Sequence, residues 1–222
     1  MDSDILPLFS QINLKRKAHL RNSKNLINIR NCFHLLIWRG KLLFRFNNGK
    51  PVPYLIEKRT KFINKLSKHV FLGEFENKDI ILWDMSDSSG VLGNTEKIGS
   101  FSDGEKNYHP DLPQDTFFCD LRNLLPVLNA KYANLCATAK GIFEWHKRVN
   151  FCQSCGSKLS PEKAGWEKAC KKCNFKHFPR IDPVVIMLIT KGNDILLGRS
   201  HGWPEKMYSC LAGFIEPGET IE

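Results

Sequence analysis

Apolar and polar positions change rhythm several times along the chain. Residues 1–30 read as a polar, basic lead-in without a regular period. From Cys32 onward, β-branched and aromatic residues come in short runs separated by turn chemistry. CFHLLIW (32–38), an Arg39–Gly40 turn and KLLFRF (41–46) predict a hairpin, closed by Asn47–Asn48–Gly49. HVFLGEF (69–75) and IILWDM (80–85) predict a second hairpin across Glu76–Asp79. Residues 86–115, rich in Ser, Gly, Asp and Asn, read as a long surface loop. DLRNLL (120–125) starts a helical stretch that Pro126 interrupts. A longer helix is predicted from about Ala130 to Arg148, because Tyr132, Leu135, Ala139, Ile142 and Phe143 recur at helical spacing. Trp145 and His146 near its end read as packing residues. HFPRIDPVVIMLIT (177–190) and DILLGRS (194–200) predict core strands joined at Lys191–Gly192–Asn193. MYSCLAGFIEPGETIE (207–222) predicts a strand running into the loop Glu216–Glu219.

Composition narrows the class. A hydrophobic share of 42% with 11% aromatics supports a packed core. The longest apolar runs, such as Val184–Ile189, have the length of buried strands and fall short of a membrane span. The formal charge is +10, which favours contact with polyanions or, equally, a solvated basic surface. Met1–Pro7 holds two aspartates and no apolar core, so it does not read as a secretory signal. The basic stretch 14–30 faintly suggests a mitochondrial presequence, against which the acidic opening and the lysines argue. Eight cysteines without such a signal point to a reducing, intracellular setting in which thiols bind metal or lie buried.

Four of those cysteines form a pattern. FCQSCG (151–156) and ACKKCN (169–174) each contain a C-x2-C knuckle, made by Cys152 with Cys155 and by Cys170 with Cys173. Two such knuckles, separated by enough chain for a small hairpin, predict a zinc ribbon. Gly156 suits the positive φ at the end of the first turn. A redox site needs only one pair, and an iron–sulfur cluster is less usual at this spacing. With four thiolate ligands no position is left for water, so the metal is structural. Cys32, Cys119, Cys136 and Cys210 read as small core residues.

The residues after the ribbon resemble the Nudix hydrolases, whose box is G-x5-E-x7-R-E-U-x-E-E-x-G-U, with U a bulky aliphatic residue. Gly213 and Glu219 match the first two fixed positions, and Gly218 sits in the turn before the glutamate. The sequence reaches Glu222 before the R-E-U-x-E-E segment, so it reads as truncated inside the box and without catalytic residues of its own. PRIDPVVI after a ribbon, MYSCLAGFIEPGE, and EWHKRVNFC before the ribbon are similar to the NADH pyrophosphatase (NAD-capped RNA decapping) branch. The resemblance covers about Leu121–Glu222.

It implies an α+β chain: a basic lead-in (1–30), an N-terminal β-rich domain (31–120), a helical linker (121–149), a zinc ribbon (150–180) and the first strands of an incomplete Nudix α/β/α sandwich (181–222). The implied activity of the complete protein is hydrolysis of the pyrophosphate of NADH or NAD, or of an NAD-capped RNA, to NMN(H) and AMP. Magnesium or manganese would be required, because divalent ions must neutralise the pyrophosphate and activate water. By resemblance the Ala212 carbonyl touches that ion, Ala212–Gly213–Phe214 line the nicotinamide site, and Phe214 stacks on the ring. Phe178 stands where the family has a substrate-contacting tyrosine, keeping the ring and losing the hydroxyl. The resemblance implies a substrate-contacting arginine at Arg122, and a plain surface arginine is an equal reading there. Glu219 takes a structural role, pairing with the box arginine.

A homodimer without membrane association, and a cytoplasmic, peroxisomal or mitochondrial location, complete the expectation. Two other readings stand beside it: a short non-catalytic form or pseudoenzyme acting as an interaction module, and a zinc-ribbon nucleic-acid binder. The linear sequence shows no stripe of Lys and Arg interleaved with aromatics to mark the last of these.

Overall fold

The computed structural model describes residues 9, 13–23, 26, 31–92 and 106–221. They form an α+β chain of mostly short strands, divided into two compact units that meet at Pro179 and Arg180 in the sequence.

The larger unit is built on one mixed sheet. β1 (Cys32–Trp38) and β2 (Lys41–Asn47) form the first predicted hairpin, and β4 (Lys68–Phe75) and β5 (Lys78–Asp84) form the second. β3 (Lys50–Pro53) extends the first hairpin, giving the order β3-β2-β1-β5-β4. Each tight turn uses two successive residues of positive φ: Arg39 and Gly40 (47° and 90°), Asn48 and Gly49 (48° and 75°), and Glu76 and Asn77 (51° and 60°). That backbone twist matches the twist of the strands it joins. The two hairpins are joined by parallel pairing of β1 with β5, from Cys32 opposite Asp79 to Ile37 opposite Asp84.

β1 is buried along its whole length. A strand covered on both faces needs an unbroken apolar run, which CFHLLIW supplies. Its alternate side chains feed two cores. Phe33, Leu35 and Ile37 join the cluster under α2 (Ala130–Arg148), together with Leu135, Ala139, Ile142 and Phe143. Cys32, Leu36 and Trp38 join the cluster on the other face with Trp83 and Phe118. α2 starts where the Asn129 side chain accepts the Lys131 N–H at 2.9 Å. The short α1 (Leu121–Leu124) starts the same way, with Asp120 accepting from Arg122 at 2.9 Å. Among the other helix residues, Trp145 is buried and His146 contacts the Gly165 carbonyl at 2.7 Å, a packing role for both.

The structure departs from the sequence reading in several places. Within the basic lead-in Leu14 is buried, and Lys15 bridges to Glu74 on β4 by backbone bonds in both directions (2.9 and 2.8 Å). Lys15 and Lys17 also hydrogen-bond the Glu74 carboxylate and hold it down to about 2. The rest of residues 1–30 lies largely outside the described residues. The loop over 86–115 is described only at its ends, since 93–105 lie outside. Its far end is anchored, with Asn107, His109 and Leu112 buried and Asn107 paired to Phe118. That anchor leads into β6 (Thr116–Cys119), an unpredicted strand that pairs with β2 and is buried throughout. Its brevity hid it, because four residues show no readable alternation.

The smaller unit, from Arg180 on, is sparse. β10 (Val184–Met187) pairs antiparallel with β13 (Leu211–Phe214), and β11 (Thr190–Lys191) with β12 (Asp194–Ile195) around Gly192. The expected core strands here are short and open. Ile186 is 65% exposed and Leu188 66%. A two-stranded pair has no second layer with which to bury its apolar side chains. Cys32, Cys119 and Cys136 lie in the core as expected, whereas Cys210, in this unit, is only half-buried.

Candidate functional site

After α2 in the sequence, and within the larger unit, β7 (Leu159–Glu162), β8 (Glu167–Cys170) and β9 (Lys176–His177) form a three-stranded antiparallel sheet. Its two knuckles are built alike. The Gly156 N–H bonds the Cys152 carbonyl (2.9 Å) and Gly156 has φ +70°. The Asn174 N–H bonds the Cys170 carbonyl (2.8 Å) and Asn174 has φ +59°. Glycine and asparagine are the residues that enter this left-handed region most readily. Asn174 was missed in the sequence. Its position one residue after the second knuckle, matching Gly156 after the first, was the available signal.

These turns bring the four sulfur atoms of Cys152, Cys155, Cys170 and Cys173 within 4.8 Å of one another. Cys152 Sγ stands 3.6 Å from Cys173 Sγ, and Cys155 Sγ 3.5 Å from Cys170 Sγ. Sulfurs held tetrahedrally by an ion at ~2.3 Å stand about 3.8 Å apart, so little movement would seat one. The thiols are unequal. The Ser157 side chain, then its backbone and the neighbouring thiols, draw Cys155 down to about 6. Cys173 is pushed up to about 12: the Phe175 backbone lowers it, but burial and the three other sulfurs outweigh that. Four thiols so close cannot all ionise without a cation between them. The cluster therefore fits a metal ion such as zinc.

The remaining candidate residues fall on separate elements. Ala212, Gly213 and Phe214 lie on β13, opposite Ile186, Val185 and Val184. Phe214 is 72% exposed. Beyond it the chain makes a turn in which the Glu219 N–H bonds the Glu216 carbonyl (3.1 Å), while the Glu219 carboxylate accepts the Glu216 N–H (2.8 Å). Gly218 supplies the turn's positive φ of 93°. Phe178, exposed, follows β9, and Arg122, exposed, lies on α1, so both belong to the larger unit. The substrate candidates are thus divided between the two units.

The family model for the NADH pyrophosphatase-like rudimentary NUDIX domain matches residues 33–145, just over half of the chain, from the second residue of β1 through β6. The chain belongs to this family. Among curated proteins it is similar to Nudix hydrolase 19, chloroplastic, of Arabidopsis thaliana, 49% identical over 40% of this chain and 21% of the relative. It is similar to NAD-capped RNA hydrolase NUDT12 of Homo sapiens, 44% identical over 43% of this chain and 23% of the relative. It is also similar to NAD-capped RNA hydrolase NudC of Mycobacterium tuberculosis, 38% identical over 51% of this chain and 36% of the relative. The chain thus spans between about a fifth and about a third of the length of these relatives.

Among the described residues no helix is long and apolar enough to cross a membrane.

Proposed function

We propose that this chain is part of an NAD(H) diphosphatase, a Nudix hydrolase that splits the pyrophosphate of NADH or NAD, or of the NAD cap of an RNA, into NMN(H) and AMP. The observation that supports it most is the β13 strand. In a chain of this family, Phe214 stands exposed beside Gly213 on a strand that runs into a turn closed by Glu219. An aromatic ring at that strand position suits a flat nicotinamide. The names of the human and mycobacterial relatives agree with an NAD-capped RNA as substrate.

In this reading Ala212, Gly213 and Phe214 line the nicotinamide site, and Phe178 and Arg122 are substrate contacts by resemblance alone. The Ala212 carbonyl, a hard oxygen donor, is a ligand for magnesium or manganese. The four cysteines hold zinc as a structural ion, because each ligand position is taken by a thiolate. Residues 181–222 are the start of the Nudix hydrolase domain. Between Gly213 and Glu222 the only acids are Glu216, Glu219 and Glu222, with no helix carrying glutamates at i and i+4. In this reading the 222 residues alone do not cleave the substrate. A homodimer in the cytoplasm or peroxisome, with the mitochondrion as alternative, completes the proposal.

The test compares two proteins, residues 1–222 and the product of the gene's complete reading frame, each with NADH and magnesium or manganese. Chromatography of the products should show NMNH and AMP only from the latter. NADH left intact by the complete product, under conditions where it hydrolyses another nucleoside diphosphate, would sink the reading.

A further inference from the structure

We propose that the outer face of the cysteine ribbon is a docking surface for single-stranded RNA. This extends the capped-RNA reading from the cap to the polynucleotide that carries it.

Two exposed aromatic rings flank the knuckles of the ribbon. Phe151 is 65% exposed and Phe175 50%, while the ribbon's own core is only Cys152, Leu159 and Cys170. Each ring flanks one knuckle. Phe151 precedes Cys152, and the Phe175 carbonyl accepts the Cys170 N–H at 3.0 Å. The knuckles themselves are joined through the sulfur cluster.

Each ring also has lysines beside it. Phe151 pairs across the strand bridge with Lys158, and Lys171 and Lys172 form the exposed tip of the turn that leads to Phe175. Residues 150–179 contain six lysines against two glutamates, Glu162 and Glu167. Three of the lysines are occupied. Lys176 pairs with Glu167 at 2.9 Å, Lys163 bonds Asn22, and Lys168 donates to the His146 and Val149 carbonyls at the end of α2. Lys158, Lys171 and Lys172 are exposed and make no ion pair among the described residues.

The result is an exposed ring with adjacent positive charge, presented once at each knuckle. Single-stranded nucleic acid is bound by this combination, because any base can stack on a ring while lysines hold the neighbouring phosphates. A purely acidic peptide such as polyglutamate would use the charges and leave the rings without a partner. Phe175 packs edge-on against the His177 ring, 5.0 Å between centroids, and remains half-exposed.

The test uses the zinc-loaded 222-residue chain and an uncapped, fluorescein-labelled RNA of about twelve nucleotides, read by anisotropy. Because no cap is present, failure here leaves the diphosphatase reading untouched, and failure of hydrolysis leaves this surface untouched. Binding should weaken with salt. Lys171→Ala with Lys172→Ala should lower the slope of log affinity against log salt by about 1.4, at ~0.7 per phosphate contact on a single strand. Phe151→Leu and Phe175→Leu, which keep apolar bulk and remove the ring face, should each weaken binding about tenfold while leaving the slope unchanged. Zinc content and a thermal melt establish that each variant is folded. Polyuridylate should displace the labelled RNA far better than polyglutamate of equal charge. Phe variants that bind like the parent, or equal competition by polyglutamate, would overturn the proposal.

Discussion

The guanidinium of Arg21 lies over the indole of Trp166, 3.9 Å from the ring centroid, although the two residues stand far apart in sequence. Arg16 approaches the same ring at 5.5 Å, and the indole N–H donates to the Phe71 carbonyl at 2.6 Å. The basic lead-in, the cysteine ribbon and strand β4 thus meet on one side chain. Arg21→Ala should lower the unfolding free energy of the larger unit by about 1 kcal/mol, the worth of a partly desolvated cation–π pair. Urea titration followed by tryptophan fluorescence measures this. An unchanged midpoint would mean that the contact contributes nothing.

Gly73 marks the other end of that junction. It sits at the irregularity in the β4–β5 pairing with φ +134°, and a Cβ there would collide with the Lys15 backbone carbonyl. Backbone cannot step aside as a flexible side chain can. Gly73→Ala should therefore destabilise the unit by on the order of 3 kcal/mol, combining overpacking with backbone strain. The same denaturation experiment reads it.

His34 makes stability depend on pH. Its ring is buried on β1 and its Nδ1 accepts the Trp83 indole N–H at 3.0 Å. Burial, reinforced by the nearby positive charge of Arg59, lowers its pKa to about 4. The unfolded chain takes up a proton near pH 6.5 while the folded chain does not. The contribution is therefore fully present above pH 6.5 and is lost progressively as pH falls towards 4, by on the order of 3 kcal/mol. His34→Gln retains an acceptor for Trp83 and does not titrate. Its stability should be flatter than the parent's across that window, and parallel curves would refute the assignment.

Metal removal should open the ribbon. The parent should contain one zinc ion per chain, and a chelator should release it with loss of the near-ultraviolet dichroism of Trp145 and Trp166. Affinity should fall as pH falls, because protons compete for the thiolates. Ser157→Ala, which removes the side-chain hydrogen bond to Cys155, should weaken zinc binding about tenfold or more, as loss of an outer partner usually does. Competition with a chromogenic chelator measures the change. A metal-free protein with unaltered dichroism would contradict the structural role.

Much of this chain was legible in one dimension because the signals are local. The Arg39–Gly40 and Asn48–Gly49 turns, the apolar run of β1, the period of α2 and the two C-x2-C knuckles each lie within a few residues. Propensity, periodicity and ligand spacing act over that range, so the hairpins, the helix and the sulfur cluster could be read without a structure. The resemblance of Gly213, Gly218 and Glu219 to the Nudix box was legible for the same reason. Contacts between distant segments were not legible. The parallel pairing of β1 with β5, the strand β6 laid against β2, the anchoring of Leu14 and Lys15 on β4, and Arg21 over Trp166 each depend on which surfaces happen to fit. Pairing of that kind is set by the packing of the whole unit, and no residue type in a short window announces it. Exposure was decided in the same way. Phe151, Phe175 and Phe214 are apolar in the sequence, and only the tertiary structure shows them exposed.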